Sequence, residues 1–197
     1  MARLSREDWV DAAYARFRDG GISAVSVEAV ARDLGATKGS FYWHFTDRSA
    51  LVDAVLERWE DLETEHLIEQ VEQVEDPSER LATLLEVIAQ RTTERSGERT
   101  LFADASALGI TDVVARALDR RVSYTAELLE TVGVDTTDAR RRAAIVVAAV
   151  VGYQQLVAGG WDPGVEAEPR ALLETLFAIV TAGASPATEL YPKRPET

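Results

Sequence analysis

Residues 26–48 read SVEAVARDLGATKGSFYWHFTDR, and this stretch decides the fold. Two short segments with helical spacing, 27–34 and 38–44, flank a tight turn at Gly35. Ser26 can cap the first, and Gly35 can adopt the left-handed conformation that redirects the chain before the second. Two short helices about such a turn form a helix-turn-helix, whose second helix enters a major groove by its N-terminal residues. Those residues are Thr37, Lys38, Gly39 and Ser40. Lys38 can reach guanine acceptors or a phosphate, Thr37 and Ser40 can bond phosphate oxygens or base edges, and Gly39 leaves room for the backbone to approach. Free amides and a partial positive charge at the helix N-terminus favour an anion there. Phe41 and Phe45, with Phe17 upstream, read as core, and Tyr42 and Trp43 as half-buried.

Helical patterning continues on both sides. Ser5-Arg6-Glu7-Asp8 resembles a capping box, Val10, Ala13, Tyr14 and Phe17 follow at helical spacing, and Gly20-Gly21 is a stop. Asp47 caps a long fourth helix with Leu51, Val55, Trp59 and Leu62 on one stripe, ending at Asp76-Pro77. Further helices are predicted over 78–95, 98–109, 111–132, 136–159 and 167–183, bounded by Gly97, Gly109, Gly133, Gly160 and the Pro163-Gly164 turn. Nothing alternates with period two for long enough to make a sheet. The predicted fold class is all-α, about nine helices. Residues 1–48 form an N-terminal three-helix helix-turn-helix DNA-binding domain, 49–184 a C-terminal helical bundle, and 185–197 a loose tail.

Composition first argues the other way. The 197 residues carry 34 acidic and 21 basic side chains, a net charge of −13, whereas DNA contacts need clustered cations. The charge is uneven, however. Residues 1–50 hold seven cations (Arg3, Arg6, Arg16, Arg18, Arg32, Lys38, Arg48) and seven carboxylates, so the whole deficit belongs to the remainder. Arg3 and Arg6 are candidates for a DNA-reaching arm or for a solvated end. The absence of cysteine excludes disulfides, thiol catalysis and Cys-based metal sites. The N-terminus lacks an apolar signal region, and the most apolar run, 143–151, falls short of the ~20 residues of a membrane span. A cytoplasmic protein is expected.

Ala12-Ala13, Phe17, Gly21, Ser26-Val27, Val30-Ala31 and Leu34-Gly35 lead into Lys38-Gly39-Ser40-Phe41-Tyr42-Trp43-His44-Phe45, followed by Arg48 and Leu51. Together these resemble the N-terminal domain of the TetR (tetracycline-repressor) family of bacterial transcriptional regulators, over about residues 9–56. The resemblance implies DNA contacts at Ser26, Thr37, Lys38, Gly39, Ser40, Tyr42, Trp43, His44 and Arg48, with Arg48 at a phosphate-contacting position. Glu28 departs from members that carry a basic residue there. The resemblance further implies a homodimer on a pseudo-palindromic double-stranded operator, most simply as a repressor, and a small-molecule effector in the C-terminal helices. A swing of the fourth helix would then separate the recognition helices.

No motif locates the effector, so candidates are polar or aromatic residues on apolar stripes: Trp59, Leu62, His66, Phe102, Asp104, Tyr124, Tyr153, Gln155 and Trp161. His66 continues the stripe of the fourth helix, and Asp104 is in register with Leu101, Ala105 and Leu108. Each also reads as an ordinary core or boundary residue. The run 143–152 is apolar on almost every face, which favours a partner over a monomer core. Val147, Val150, Val151 and Gln154, with Leu173, Leu176, Phe177 and Val180 on the last helix, are the expected dimer interface. Arg140-Arg141-Arg142 is expected to pair with nearby carboxylates.

An enzyme and an all-helical protein-binding adaptor are the competing classes. Glu63-x-x-His66 has the spacing of helical di-iron ligands, but such sites need two of these motifs. The other histidine, His44, has Phe41 where the glutamate belongs. No phosphate loop or nucleophile elbow is present, and no cofactor or metal is expected.

Overall fold

The computed structural model describes residues 4–94, 96–162, 164 and 169–184. The expected tail over 185–197, Arg3 and Pro163 lie outside the described residues. Among the described residues the chain is helical and contains no strand.

Helix α1 (Arg6–Gly20) starts where the capping box places it: Asp8 N–H donates to Ser5 Oγ at 3.2 Å, and Ser5 N–H donates to Asp8 Oδ2 at 2.7 Å. Its buried face is Trp9, Val10, Ala13, Tyr14 and Phe17. Gly21 stops it at φ +69°, and a single tight turn, Ile22–Ala24, leads on. Helices α2 (Val27–Asp33) and α3 (Lys38–Phe41) follow, with Gly35 at φ +60° between them. Phe41 meets Trp9 edge-on at 5.5 Å between ring centroids and stacks on Phe45 at 5.4 Å. The Arg16 guanidinium clamps Asp33 with two bonds of 2.5 and 2.9 Å, tying α2 to α1.

Helix α4 (Arg48–Glu60) runs through a wider π turn, Asp61–Glu65, into α5 (His66–Glu72). The remainder is α6 (Pro77–Glu94), α7 (Ser96–Leu108), α8 (Thr111–Thr131), α9 (Thr136–Ala158) and α10 (Pro169–Val180). Each lies within a few residues of its predicted span, because caps and glycines mark the ends.

Two apolar clusters hold these helices together. The first joins Trp9, Phe17, Phe41, Leu51 and Trp59 to Leu101 of α7 and Ala117 of α8, so the α7–α8 corner packs into the core of the three N-terminal helices. The second gathers Ile68, Leu84, Leu129, Val146 and Phe177. The side chains of Glu63, Thr64, Glu98 and Arg121 belong to neither cluster, and all four line one cavity with Ile68, Leu84 and Val146 of the second. The basic run at the start of α9 is paired as expected: Arg140 with Asp119, Arg141 and Arg142 with Asp138. Arg142 also donates to the carbonyls of Val180 and Ala182 at 2.7 and 3.0 Å, closing the end of α10.

Candidate nucleic-acid interface and internal cavity

The first turn of α3 is built from its own side chains. Ser40 N–H donates to Thr37 Oγ1 at 3.3 Å, and Ser40 Oγ donates to the Thr37 carbonyl at 2.8 Å. Ser26 does the same for α2, accepting from Ala29 N–H at 3.2 Å. A Cβ added at Gly39 would meet only Thr37 Oγ1, at an ordinary 3.6 Å. Packing within the fold therefore does not demand glycine there, whereas a close-approaching backbone would. Tyr42 and Trp43 are not half-buried: they are 63% and 78% exposed, because Phe41 and Phe45 occupy the inward positions of this turn. His44 is half-buried. A row of hydroxyls, one ammonium and two exposed rings thus occupies one surface turn.

Two of the candidate DNA-contacting cations have partners within the fold. Lys38 pairs with Glu28 across the helix-turn-helix. The pair raises the Lys38 pKa and lowers that of Glu28, chiefly through their direct hydrogen bond. Arg48 is not a free phosphate ligand: its Nε and Nη2 donate to the carbonyls of Val25 and Ile22 at 2.6 and 2.8 Å. It braces the start of α4 against the turn before α2, and its remaining N–H groups are what it can offer outward. Arg6 lies over the Phe45 ring at 5.1 Å.

The internal cavity, about 80 Å³, lies between α5, the π turn, α6, α7, α8 and α9. Its polar side is an ion-pair layer. Glu63 accepts from the Tyr14 hydroxyl at 2.8 Å and pairs with Arg91 at 3.4 Å. Arg121 donates to Thr64 Oγ1 at 3.0 Å and to Glu98 at 2.8 Å, with its guanidinium 5.3 Å from the Trp59 ring centre. Burial is the largest influence on Arg91 and lowers its pKa. Tyr124 lines the cavity and donates to Glu72 at 2.8 Å; burial, then that hydrogen bond, pushes its pKa up.

Of the nine effector candidates, only Tyr124 lines this cavity. His66 is exposed and pairs with Glu69, because the π turn adds a residue and rotates the following face outward. The same rotation brings Glu63 and Thr64 inside. Glu63 and His66 therefore diverge, and among the described residues no group of His, Asp and Glu could hold a metal. Asp104 is exposed on α7. Trp59 is core, edge-on to Phe102 at 6.2 Å, and Leu62 packs on the same cluster. Tyr153 and Trp161 line a separate groove between α9 and α10, and Gln155 lines neither space.

The expected interface residues are also redistributed. Val147, Val150, Val151 and Gln154 line the internal cavity, and Leu173 and Leu176 line the α9–α10 groove. Leu173, Phe177 and Val180 are buried within the protomer. The apolar side chains that α9 and α10 leave on the surface are Ile145, Leu156, Leu172 and Ile179, the last 65% exposed. Ile145 lies in the apolar run singled out in the sequence, and each of the four stands on the opposite side of its helix from a buried residue.

Residues 10–55 match the family described as bacterial regulatory proteins, tetR family. Over 91 residues the chain is 32% identical to the HTH-type transcriptional regulator AcrR of Shigella flexneri, covering 44% of this chain and 40% of the relative. Over 55 residues it is 38% identical to the tetracycline repressor protein class D of Escherichia coli, covering 28% and 25%. The match thus spans less than half the length of these relatives. A TetR-like transcriptional regulator from Rhodococcus sp. RHA1 has the same architecture, with a TM-score of 0.67 at 26% identity over 91% of this chain and 96% of that one. Among the described residues no helix is long and apolar enough to cross a membrane.

Proposed function

We propose that this chain, which belongs to the TetR family of bacterial regulatory proteins, is a homodimeric cytoplasmic repressor that leaves its operator when a small molecule enters the internal cavity. The observation that carries the reading is the first turn of α3. Thr37, Lys38 and Ser40 stand on the surface beside exposed Tyr42 and Trp43, on a base fixed by Phe41 and Phe45. Such a turn suits hydrogen bonds to base edges and phosphates in a major groove. One unit makes few contacts, so two units on paired half-sites are needed for useful specificity. The exposed Ile145, Leu156, Leu172 and Ile179 on α9 and α10 suit the contact between copies.

Coupling runs through Glu63. Its carboxylate lines the cavity, pairs with Arg91 of α6 and accepts from Tyr14 of α1, so one buried side chain touches both sensor and reader. A ligand that favours a different placement of Glu63 moves α1 and α4 together, to the extent of its differential affinity for the two states. Tyr14→Phe keeps the ring and removes that bond. It should leave operator binding measurable while weakening ligand-induced release at least fivefold.

A gel shift with the DNA beside its own coding sequence tests the reading. The purified protein should shift it at low salt, and Lys38→Ala should lower the affinity. No shift on any genomic fragment would leave the adaptor reading standing.

A further inference from the structure

We infer that the internal cavity selects an uncharged, mainly apolar molecule with one amide- or hydroxyl-like group, held by Gln154 of α9. The inference rests on the reading of this cavity as the effector site. Three observations support it.

The walls come first. Leu84 and Ile88 of α6 face Val146, Val150 and Val151 of α9 across the cavity, so most of an entering molecule would contact hydrocarbon.

The charges come second. The cavity has two guanidinium groups and two carboxylates, already matched: Arg91 with Glu63, Arg121 with Glu98. Other donors of both arginines are also engaged, by the Leu62 carbonyl and Gln70 for Arg91 and by Thr64 for Arg121. Burying a further charge requires a partner that is not already committed. An anionic ligand would have to take a guanidinium from its carboxylate, and a cationic one the reverse. A neutral ligand breaks neither pair.

Gln154 comes third. It is 7% exposed, lines the cavity and has no hydrogen-bond partner among the described residues. Thr125 of α8, also buried on the lining, is in the same position. A largely buried glutamine whose amide opens onto the cavity is complementary to a small polar group that can both give and accept a hydrogen bond. Its neighbours on α9 are valines, so it forms an isolated polar point on the apolar wall.

The test uses three probes of one chain length on the full-length protein: hexanamide, hexanoate and hexylamine, the last two charged at neutral pH. Binding is measured by calorimetry, and release of bound DNA is followed separately by fluorescence anisotropy. Hexanamide should bind at least tenfold more tightly than either charged probe. Gln154→Leu and the closer-shaped Gln154→Met should each weaken it at least tenfold, and Val147→Trp, which fills the cavity, should abolish it. Equal or tighter binding of hexanoate or hexylamine, hexanamide binding that survives both Gln154 substitutions, or no binding of any probe would overturn the inference. Hexanamide bound as expected but without effect on DNA would uphold the ligand class and reject release by this cavity. Release driven by a charged probe would do the opposite.

Discussion

Lys38 is held by Glu28 in the protein alone, and a phosphate would have to replace that partner. A surface pair of this kind adds little to stability, so its effect falls on binding. Glu28→Gln should raise affinity for any duplex DNA and make the dependence of log affinity on log salt steeper by about one, measured by anisotropy across a salt series. Asp33, clamped by Arg16, has its pKa lowered chiefly by that hydrogen bond. A depressed carboxylate contributes stability above its unfolded pKa and loses it as pH falls through the lower folded value. The stability gap between wild type and Asp33→Asn, from urea midpoints, should be constant from pH 7 to 5 and close below about pH 4. At this scale the sequence was legible where residues act locally: Ser26 and Thr37 cap as their types and positions predict. His66, Asp104 and Arg48 were not, because exposure and carbonyl partners more than twenty residues away decide them.

Turns and helix ends were legible because glycine conformation and capping chemistry are local. Gly35 and Gly21 both have positive φ, but they differ in surroundings. A Cβ at Gly35 meets nothing within 4 Å, whereas at Gly21 it would lie 2.2 Å from Thr100 Oγ1 of α7. Gly35→Ala should therefore cost only the backbone strain, about 1–2 kcal/mol. Gly21→Ala should cost more, and Thr100→Ala should recover part of the excess in a double-mutant cycle read by urea unfolding. The π turn at 61–65 was not legible. Asp-Leu-Glu-Thr-Glu is unremarkable helical sequence, and the extra residue is stabilised by distant partners, Tyr14 and Arg91 on Glu63 and Arg121 on Thr64. Missing it displaced the inward face from His66 to Glu63 and Thr64, and with it most of the cavity.

The net charge of −13 lies entirely beyond residue 50, so the acidic body stands behind a neutral reading head. With seven cations matched by seven carboxylates in residues 1–50, the salt dependence of the proposed operator binding should be shallow compared with that of basic repressors. All-helical architecture was legible at this scale from periodicity alone. Which faces of α9 and α10 the protomer leaves uncovered was not, since an apolar helix does not announce which of its faces the protomer itself covers. Ile179→Asp places a charge among the exposed side chains of α10 and should convert the dimer to monomer in analytical ultracentrifugation, with operator affinity falling at least tenfold. The central claim is that α3 reads base sequence. The most direct test is selection from a random duplex pool by wild type and by Lys38→Ala. Wild type should enrich a pseudo-palindrome with half-sites about one helical turn apart, and Lys38→Ala should bind it more weakly with relaxed preference. No enriched sequence, or the same sequence bound equally tightly by Lys38→Ala, would contradict the account.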